Sequence, residues 1–428
     1  MMKEIKQRIE KIKNGEVPQG YKKTKIGIVP NDWEVENFDD VFTIVSNNVL
    51  SRNDMNEVEG YFLNIHYGDI LTIYNENLNC SEEKIPFINK DVEMKNYQLL
   101  NDGYVVFSDT AEDYTVGKAV ELLNVGDKKV VSGLHTIPCK PNKKFASKWF
   151  GYFCNSFIYH NQLLPLATGA KVTGISKSSI RTTLLLNPPL NEQQKISEIL
   201  STQDKVIKLK EKLLQEKEKQ KKYLMQILLT GRKRLKGFDG EWKKVKLKEY
   251  LMEISERNKG LKINNVLSVN NKLGFVKQEI QFGKTVASKD LSNYKIIKNN
   301  FIAYNPSRIN VGSIAMYEGE VQGIVSPMYV VFKTNEMLDS NYFMFFVQSY
   351  EFFEKMKSLL SGSVRDSLNF SDLCNMQILL PSLEEQKAIA EILTTADKEL
   401  KLLQEELEEE KRKKKALMQL LLTGIVRI

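Results

Sequence analysis

Residues 188–235 read PPLNEQQKISEILSTQDKVIKLKEKLLQEKEKQKKYLMQILLTGRKRL, and residues 381–428 read PSLEEQKAIAEILTTADKELKLLQEELEEEKRKKKALMQLLLTGIVRI. At an offset of 193, without a gap, 25 of these 48 pairs are identical, including EIL, DK, LMQ and LLTG. Self-similarity at a fixed period is the mark of a repeat architecture. Upstream the likeness weakens but persists. TGAKVTGISKSSI (168–180) aligns with SGSVRDSLNFSDL (361–373), and Trp149–Phe153 with Tyr342–Phe346. Further back the offset drifts, as loop insertions would cause: Val131-Ser132 pairs with Val325-Ser326, Val116-Gly117 with Val311-Gly312, and Asp32-Trp33 with Glu241-Trp242. The chain therefore holds two copies of one unit, each a globular part of about 150 residues followed by a long charged segment.

The charged segments read as helices. Stepping 4, 3, 4, 3 from Ile196 gives Ile196, Leu200, Gln203, Ile207, Lys210, Leu214, Lys217, Lys221, Leu224 and Leu228. The second copy gives Ile389, Leu393, Ala396, Leu400, Leu403, Leu407, Glu410, Lys414, Leu417 and Leu421. A seam with a period of 3.5 is that of a coiled coil. Prolines 188, 189 and 381 mark the starts, and Gly231 and Gly424 the stops. About 38 residues give a rod of roughly 57 Å. One apolar face per rod needs a partner, and each copy is the obvious partner of the other. Charge agrees: Lys205–Lys222 holds eight Lys and three Glu, while Asp397–Glu410 holds six Glu, one Asp and two Lys. Opposite flanks help to choose partner and orientation.

The globular parts read as β-rich. VGKAVELL, KVVSGLHTIPCK, GSIAMYEG and GIVSPMYVVFK are strand-length apolar runs, and an aromatic helix candidate follows in each copy, FASKWFGYFCNSF and SNYFMFFVQSYEFF. The fold class is α+β, with a pseudo-two-fold internal repeat. Before residue 23, Ile5, Ile9 and Ile12 share one face of a short basic helix ended by Gly15. Its order resembles that of Met225–Trp242, so it reads as an imitation of the end of a third repeat, one that would close the molecule into a ring.

Composition bounds the function. Apolar residues are 42% and charged residues 27% of 428, which excludes general disorder. A net charge of +8 admits a polyanionic partner without requiring one. There is no apolar run of about 18 residues for a membrane span, and no secretory signal at the start. Cys80, Cys139, Cys154 and Cys374 lack CxxC spacing and suit a reducing cytoplasm. Three histidines, His66, His135 and His160, are too few for a His-rich metal site. No phosphate loop, GxGxxG, HExxH or GxSxG motif is present. Acids in SDTAED (108–113) face NPSRIN (305–310) in the other copy, so no catalytic carboxylate pair repeats. Asn187-Pro188-Pro189 reads as a turn opening the helix.

The segments that differ between the copies are rich in DNA-reading residue types. In the first copy these are His66, Tyr67, Thr110, Tyr114, Lys118, Lys171 and Lys177; in the second, Arg257, Lys259, Asn305, Arg308 and Arg365. Arg on guanine and Asn on adenine are common major-groove pairings, and Lys commonly holds phosphate. Surface solubility explains any one of them as well. As a set in matching positions they favour a nucleic-acid face.

The twice-used pattern of E-Q, I-x-E-I-L and a charged helix ending LMQ-x-L-L-T-G, after domains that begin near D/E-W, resembles the DNA specificity subunit of type I restriction–modification enzymes. GIVPNDWEV (27–35), VSGLHT (131–136), YNPSRINVGS (304–313) and VSPMYVVF (325–332) also look like phrases of that family. The resemblance covers nearly the whole chain. It implies an N-terminal helical extension (1–22), a target recognition domain (23–187), a central spacer helix (188–235), a second target recognition domain (236–380) and a C-terminal spacer helix (381–428). It also implies a non-catalytic cytoplasmic reader of an asymmetric bipartite site in double-stranded DNA, its spacer helices antiparallel. Two methyltransferase subunits would carry S-adenosylmethionine, and two restriction subunits would bring Mg/ATP; this chain would hold no cofactor and no metal. The competing readings are a DNA-modifying enzyme with its own active site and a coiled-coil scaffold that reads no DNA.

Overall fold

The prolines that end each globular part also open each long helix. In a computed structural model, which describes all residues except 1, 94–96, 170, 272, 280–289 and 361–366, the helices run Leu190–Leu228 and Leu383–Leu421. Each is closed by a glycine with left-handed φ, Gly231 at 67° and Gly424 at 68°. Around them the amide of Lys233 bonds the carbonyl of Ile227, and that of Val426 the carbonyl of Leu420. This is the same helix stop written twice, and it needs the φ that glycine adopts without steric cost.

Every residue of the two predicted seams is buried or half-buried, whereas Leu209 and Leu213, off the seam, are exposed. The chain divides into two units, residues 1–210 with 406–428, and residues 211–405. Each contains part of both helices. In the first unit Gln203 bonds Glu410 at 2.6 Å, Lys210 pairs with Glu406 at 2.7 Å and Asp204 with Lys414 at 2.7 Å. In the second, Lys217 pairs with Glu399 at 2.6 Å, and Lys221 with Asp397. As numbers rise along one helix they fall along the other, so the packing is antiparallel. The Lys-rich flank of one helix meets the Glu-rich flank of the other, as the charges predict.

The first unit has a five-stranded sheet, in the order Phe42–Ile44, Thr136–Pro141, Val105–Ser108, Ala119–Leu123 and Asn77–Asn79. The second has the matching four: Leu251–Glu253, Val330–Thr334, Ile302–Tyr304 and Ile314–Met316. Each unit adds a four-stranded sheet containing a parallel pair, Leu63–Ile65 with Val130–Ser132 and Val266–Asn270 with Gly323–Val325. The runs KVVSGLHTIPCK and GIVSPMYVVFK, read as single strands from the sequence, are each broken in two. Their halves belong to different sheets, and Gly133 or Pro327 stands at the crossing. A proline has no amide to give a ladder, and a glycine weakens one. The aromatic helices form as expected, Trp149–Cys154 and Ser340–Val347, and bury Trp149, Tyr152, Phe343 and Phe346.

At the base of each unit a tryptophan is clamped. Trp33 Nε1 donates to Glu192 at 2.9 Å, and Arg427 grips both oxygens of Glu192 at 2.6 and 2.8 Å. Trp242 Nε1 donates to Glu385 at 3.1 Å, and Arg234 grips both of its oxygens at 2.7 Å. Arg427 also bonds Asp32, and this holds the Asp32 carboxyl below the usual carboxylate range. A Cβ on Gly424 would come within 2.5 Å of Pro30, so the helix stop must be glycine for packing as well as for φ. Each clamp is completed by the helix end of the other repeat. This corrects one expectation. The place before Trp33 is filled by the end of the helix Leu383–Leu421, and the N-terminal helix Met2–Lys13 lies beside it, with Arg8 donating to the Ile425 carbonyl at 2.9 Å.

Candidate nucleic-acid interface

The strand breaks create the candidate site. In the first unit the turn after Ser132 carries His135 with φ 57°. Ser132 Oγ lies 2.6 Å from Thr136 Oγ1, and the His135 carbonyl accepts from the amide of Asp109 at 3.1 Å. The turn is thereby fixed to the end of the strand Val105–Ser108. Thr110 Oγ1 donates to Asp109 Oδ1 at 2.8 Å, and His135 Nδ1 lies 3.2 Å from that oxygen. The ring of Tyr67 stands edge-on to His135 at 5.3 Å and lies 4.6 Å from that of His66. His66 caps the helix Tyr67–Thr72, its Nδ1 accepting from Gly68 N at 3.1 Å. Burial and the nearby Arg52 guanidinium push the His66 pKa down, which suits a neutral ring acting as acceptor.

Three of the sequence-predicted residues, His66, Tyr67 and Thr110, thus meet in one cluster. The short pairing of Thr110–Ala111 with Thr173–Gly174 flanks the cluster with the segments that carry Tyr114, 84% exposed, and Lys171, also exposed. Lys177 donates to Asn47 Oδ1 at 3.1 Å, and Asn47 Nδ2 to the Gly133 carbonyl at 3.1 Å, two residues before His135. Lys118 is placed differently. Its ammonium donates to the carbonyls of Leu71 and Tyr74 at 3.2 and 2.8 Å, and burial lowers its pKa.

The second unit builds its counterpart at the same place. Ser108 pairs with Thr136 in one sheet and Tyr304 with Val330 in the other. By this register Asn305 stands where Asp109 does, and Tyr329 where His135 does. A cavity of about 270 Å³ is lined there by Asn270, Asn271, Asn305, Arg308, Ser313 and Tyr329. Arg308 is exposed, and its guanidinium bonds to none of the described residues. Tyr329 Oη accepts from Val269 N at 3.3 Å. Lys295, its pKa lowered by burial, donates to the Tyr329 carbonyl at 2.8 Å. Arg257 reaches this neighbourhood indirectly: it forms a bridge with Lys295 and donates to the Asn293 carbonyl at 2.9 Å. Lys259 is exposed nearby in sequence, and Arg365 lies outside the described residues.

Sequence reasoning missed Asp109, His135, Asn270 and Tyr329 as members of these clusters. The signal was available in Gly133-Leu134-His135 and Pro327-Met328-Tyr329, which interrupt apolar runs at aligned positions. Among the described residues, no three His, Cys, Asp or Glu side chains gather as a metal site, and no helix is long and apolar enough to cross a membrane.

Known proteins resemble this chain in sequence and fold. Residues 30–219 and 239–411 match the family described as type I restriction modification DNA specificity domain. The chain is similar to the type I restriction enzyme MjaVIII specificity subunit of Methanocaldococcus jannaschii, at 26% identity over 94% of both chains. Its MjaX counterpart from the same organism is 27% identical over 96% of this chain and 97% of the relative. The crystal structure of the type I restriction–modification S subunit from M. genitalium superposes with a TM-score of 0.53 at 14% identity, covering 91% of this chain and 96% of that one.

Proposed function

Because the chain belongs to the type I restriction modification DNA specificity family, we propose that its two units read the two halves of an asymmetric bipartite site in double-stranded DNA. The observation that carries this is one scaffold built twice with different tips. The clamps and helix stops repeat residue for residue, while His135 and Asp109 give way to Tyr329 and Asn305, and Tyr67, four residues past Leu63 of the parallel pair, gives way to Asn270, four past Val266. Recognition would reside in residues 23–187 and 236–380, and spacing in 188–235 and 381–428. Arg308 would contribute a base contact, while Lys171, Lys177 and Lys259 would hold phosphates.

The helices would also dock partners. Ile199 and Leu209, 37% and 67% exposed, are matched 193 residues later by Ile392 and Leu402, 36% and 60% exposed. Apolar residues repeated on two helices and left uncovered fit two copies of one partner. That partner would be a methyltransferase subunit holding S-adenosylmethionine, with restriction subunits joining through the same complex in the cytoplasm. Helices of 39 residues would act as the ruler between half-sites one or more turns of about 34 Å apart.

Sequencing methylated adenine in a host with and without this gene tests the reading. An asymmetric bipartite motif should vanish with the gene; an unchanged pattern would defeat it. Four residues inserted after Ser201 would lengthen the helix by roughly 6 Å. The unspecified gap should widen by about two base pairs, with both half-sites unchanged.

A further inference from the structure

Of the two histidines in this cluster His66 is buried and caps a helix, while His135 is exposed. Thr110 spends its hydroxyl hydrogen on Asp109 Oδ1 at 2.8 Å, so toward His135 Nδ1 both Asp109 Oδ1 at 3.2 Å and Thr110 Oγ1 at 3.3 Å can only accept. The ring proton of neutral His135 therefore sits on Nδ1. Nε2, which bonds to none of the described residues, is left as an acceptor. The partner of one ring nitrogen sets the chemistry of the other. The side chain is 46% exposed, on a turn fixed at both ends.

In the major groove, adenine N6 and cytosine N4 donate, while guanine O6 and N7 only accept. An acceptor Nε2 suits the first pair of bases and not guanine. We propose that His135, oriented by Asp109, discriminates one base of the half-site read by the first unit, its Nε2 accepting from adenine N6 or cytosine N4. This rests on the DNA-reading function proposed above and assigns the group that reads.

The groups facing His135 are Asp109 and Thr110 at the strand end and Tyr67 at the helix start. Behind Tyr67 stand His66 and the Arg52–Asp69 ion pair, and Lys177 is linked through Asn47 and Gly133. The second unit has Tyr329 and Asn305 in the corresponding places. Its half-site is therefore an internal control.

The test is selection of a duplex library, both half-sites randomised, by the full chain and its variants. At one position of one half-site wild type should favour adenine or cytosine over guanine by roughly tenfold. His135→Gly, which tolerates the left-handed turn, should lose that preference and leave the other half-site unchanged. Asp109→Asn should weaken the preference, because an amide can turn its NH2 toward Nδ1 and release the tautomer. If His135→Gly selects as wild type does, the assignment of His135 is wrong while DNA reading stands. If neither half-site is enriched, the DNA-reading proposal falls and this one with it.

Discussion

The two units are alike where they are held and unlike where they are free. At the base, Trp33, Glu192 and Arg427 reproduce Trp242, Glu385 and Arg234, and Lys414 on Asp204 reproduces Lys221 on Asp397. At the strand breaks Asp109, His135 and Tyr67 of one cluster stand where the other has Asn305, Tyr329 and Asn270. The base is constrained by an indole N–H, a carboxylate and a guanidinium that must satisfy one another away from water. The tip carries no such mutual obligation, so a change there costs the fold little. One scaffold can thus carry two unrelated sets of contacts.

Removing the buried carboxylate should have the largest effect. Glu385→Ala leaves Arg234 and the Trp242 indole without their acceptor, and the urea midpoint of the second unit should fall. Glu192→Ala should cost the first unit somewhat less, because Arg427 keeps Asp32. Equal and small losses in both would show that the shared base is not what holds the units.

A second difference is electrostatic. Glu121 is buried at the start of the helix Trp149–Cys154, accepting from the amides of Lys148 at 2.6 Å and Gly151 at 2.9 Å. Burial outweighs these bonds and pushes its pKa up to about 7. Tyr317 holds the register position in the second unit. A raised carboxyl pKa means the folded state keeps the proton longer than the unfolded one. Its contribution is complete below about pH 4.5 and is lost as pH rises through about 7. The first unit should therefore weaken over that window, by at most about 3 kcal/mol, and Glu121→Gln should flatten its dependence. A matching slope in the second unit would place the cause elsewhere.

At the tips, Arg308→Ala should weaken only the half-site read by the second unit, by roughly 1–3 kcal/mol in methylation or selection assays, and Arg365→Ala should act on the same half-site. Disturbance of both half-sites would contradict the modularity that the comparison teaches. The smallest effect is expected of Arg234→Lys, which keeps charge but not the two-pronged grip on Glu385. A slight drop in the urea midpoint is expected, since an ammonium cannot reproduce the fork.

How much of this was legible in the sequence follows the range of the forces. The helices, their seam, their antiparallel charges and their glycine stops are local and periodic, and they could be read directly. The glycine and proline that interrupt the strands are local too, but which sheet Thr136 or Val330 then joins could not be read, because it depends on distant partners. Lys118 looked like a phosphate-binding lysine, yet a long flexible side chain gives no hint in sequence that it will turn inward to Leu71 and Tyr74. Conversely, His135 looked structural until Asp109 and Thr110 were found beside it. The N-terminal helix misled because its order of helix, glycine and basic residues imitates a segment whose place is taken by the chain's own second repeat.

That exchange of helix ends has a consequence for assembly. The first repeat keeps Trp33 and Glu192 but sends its Arg234 to the other unit, and the second repeat returns Arg427. A single repeat expressed alone would expose an unfinished indole and an uncompensated carboxylate, yet it would carry the missing arginine at its far end. Two such half-length molecules could complete each other reciprocally. Their stability would then depend on protein concentration. What is a unimolecular closure in this chain would become a symmetric dimerisation, with one tip presented twice.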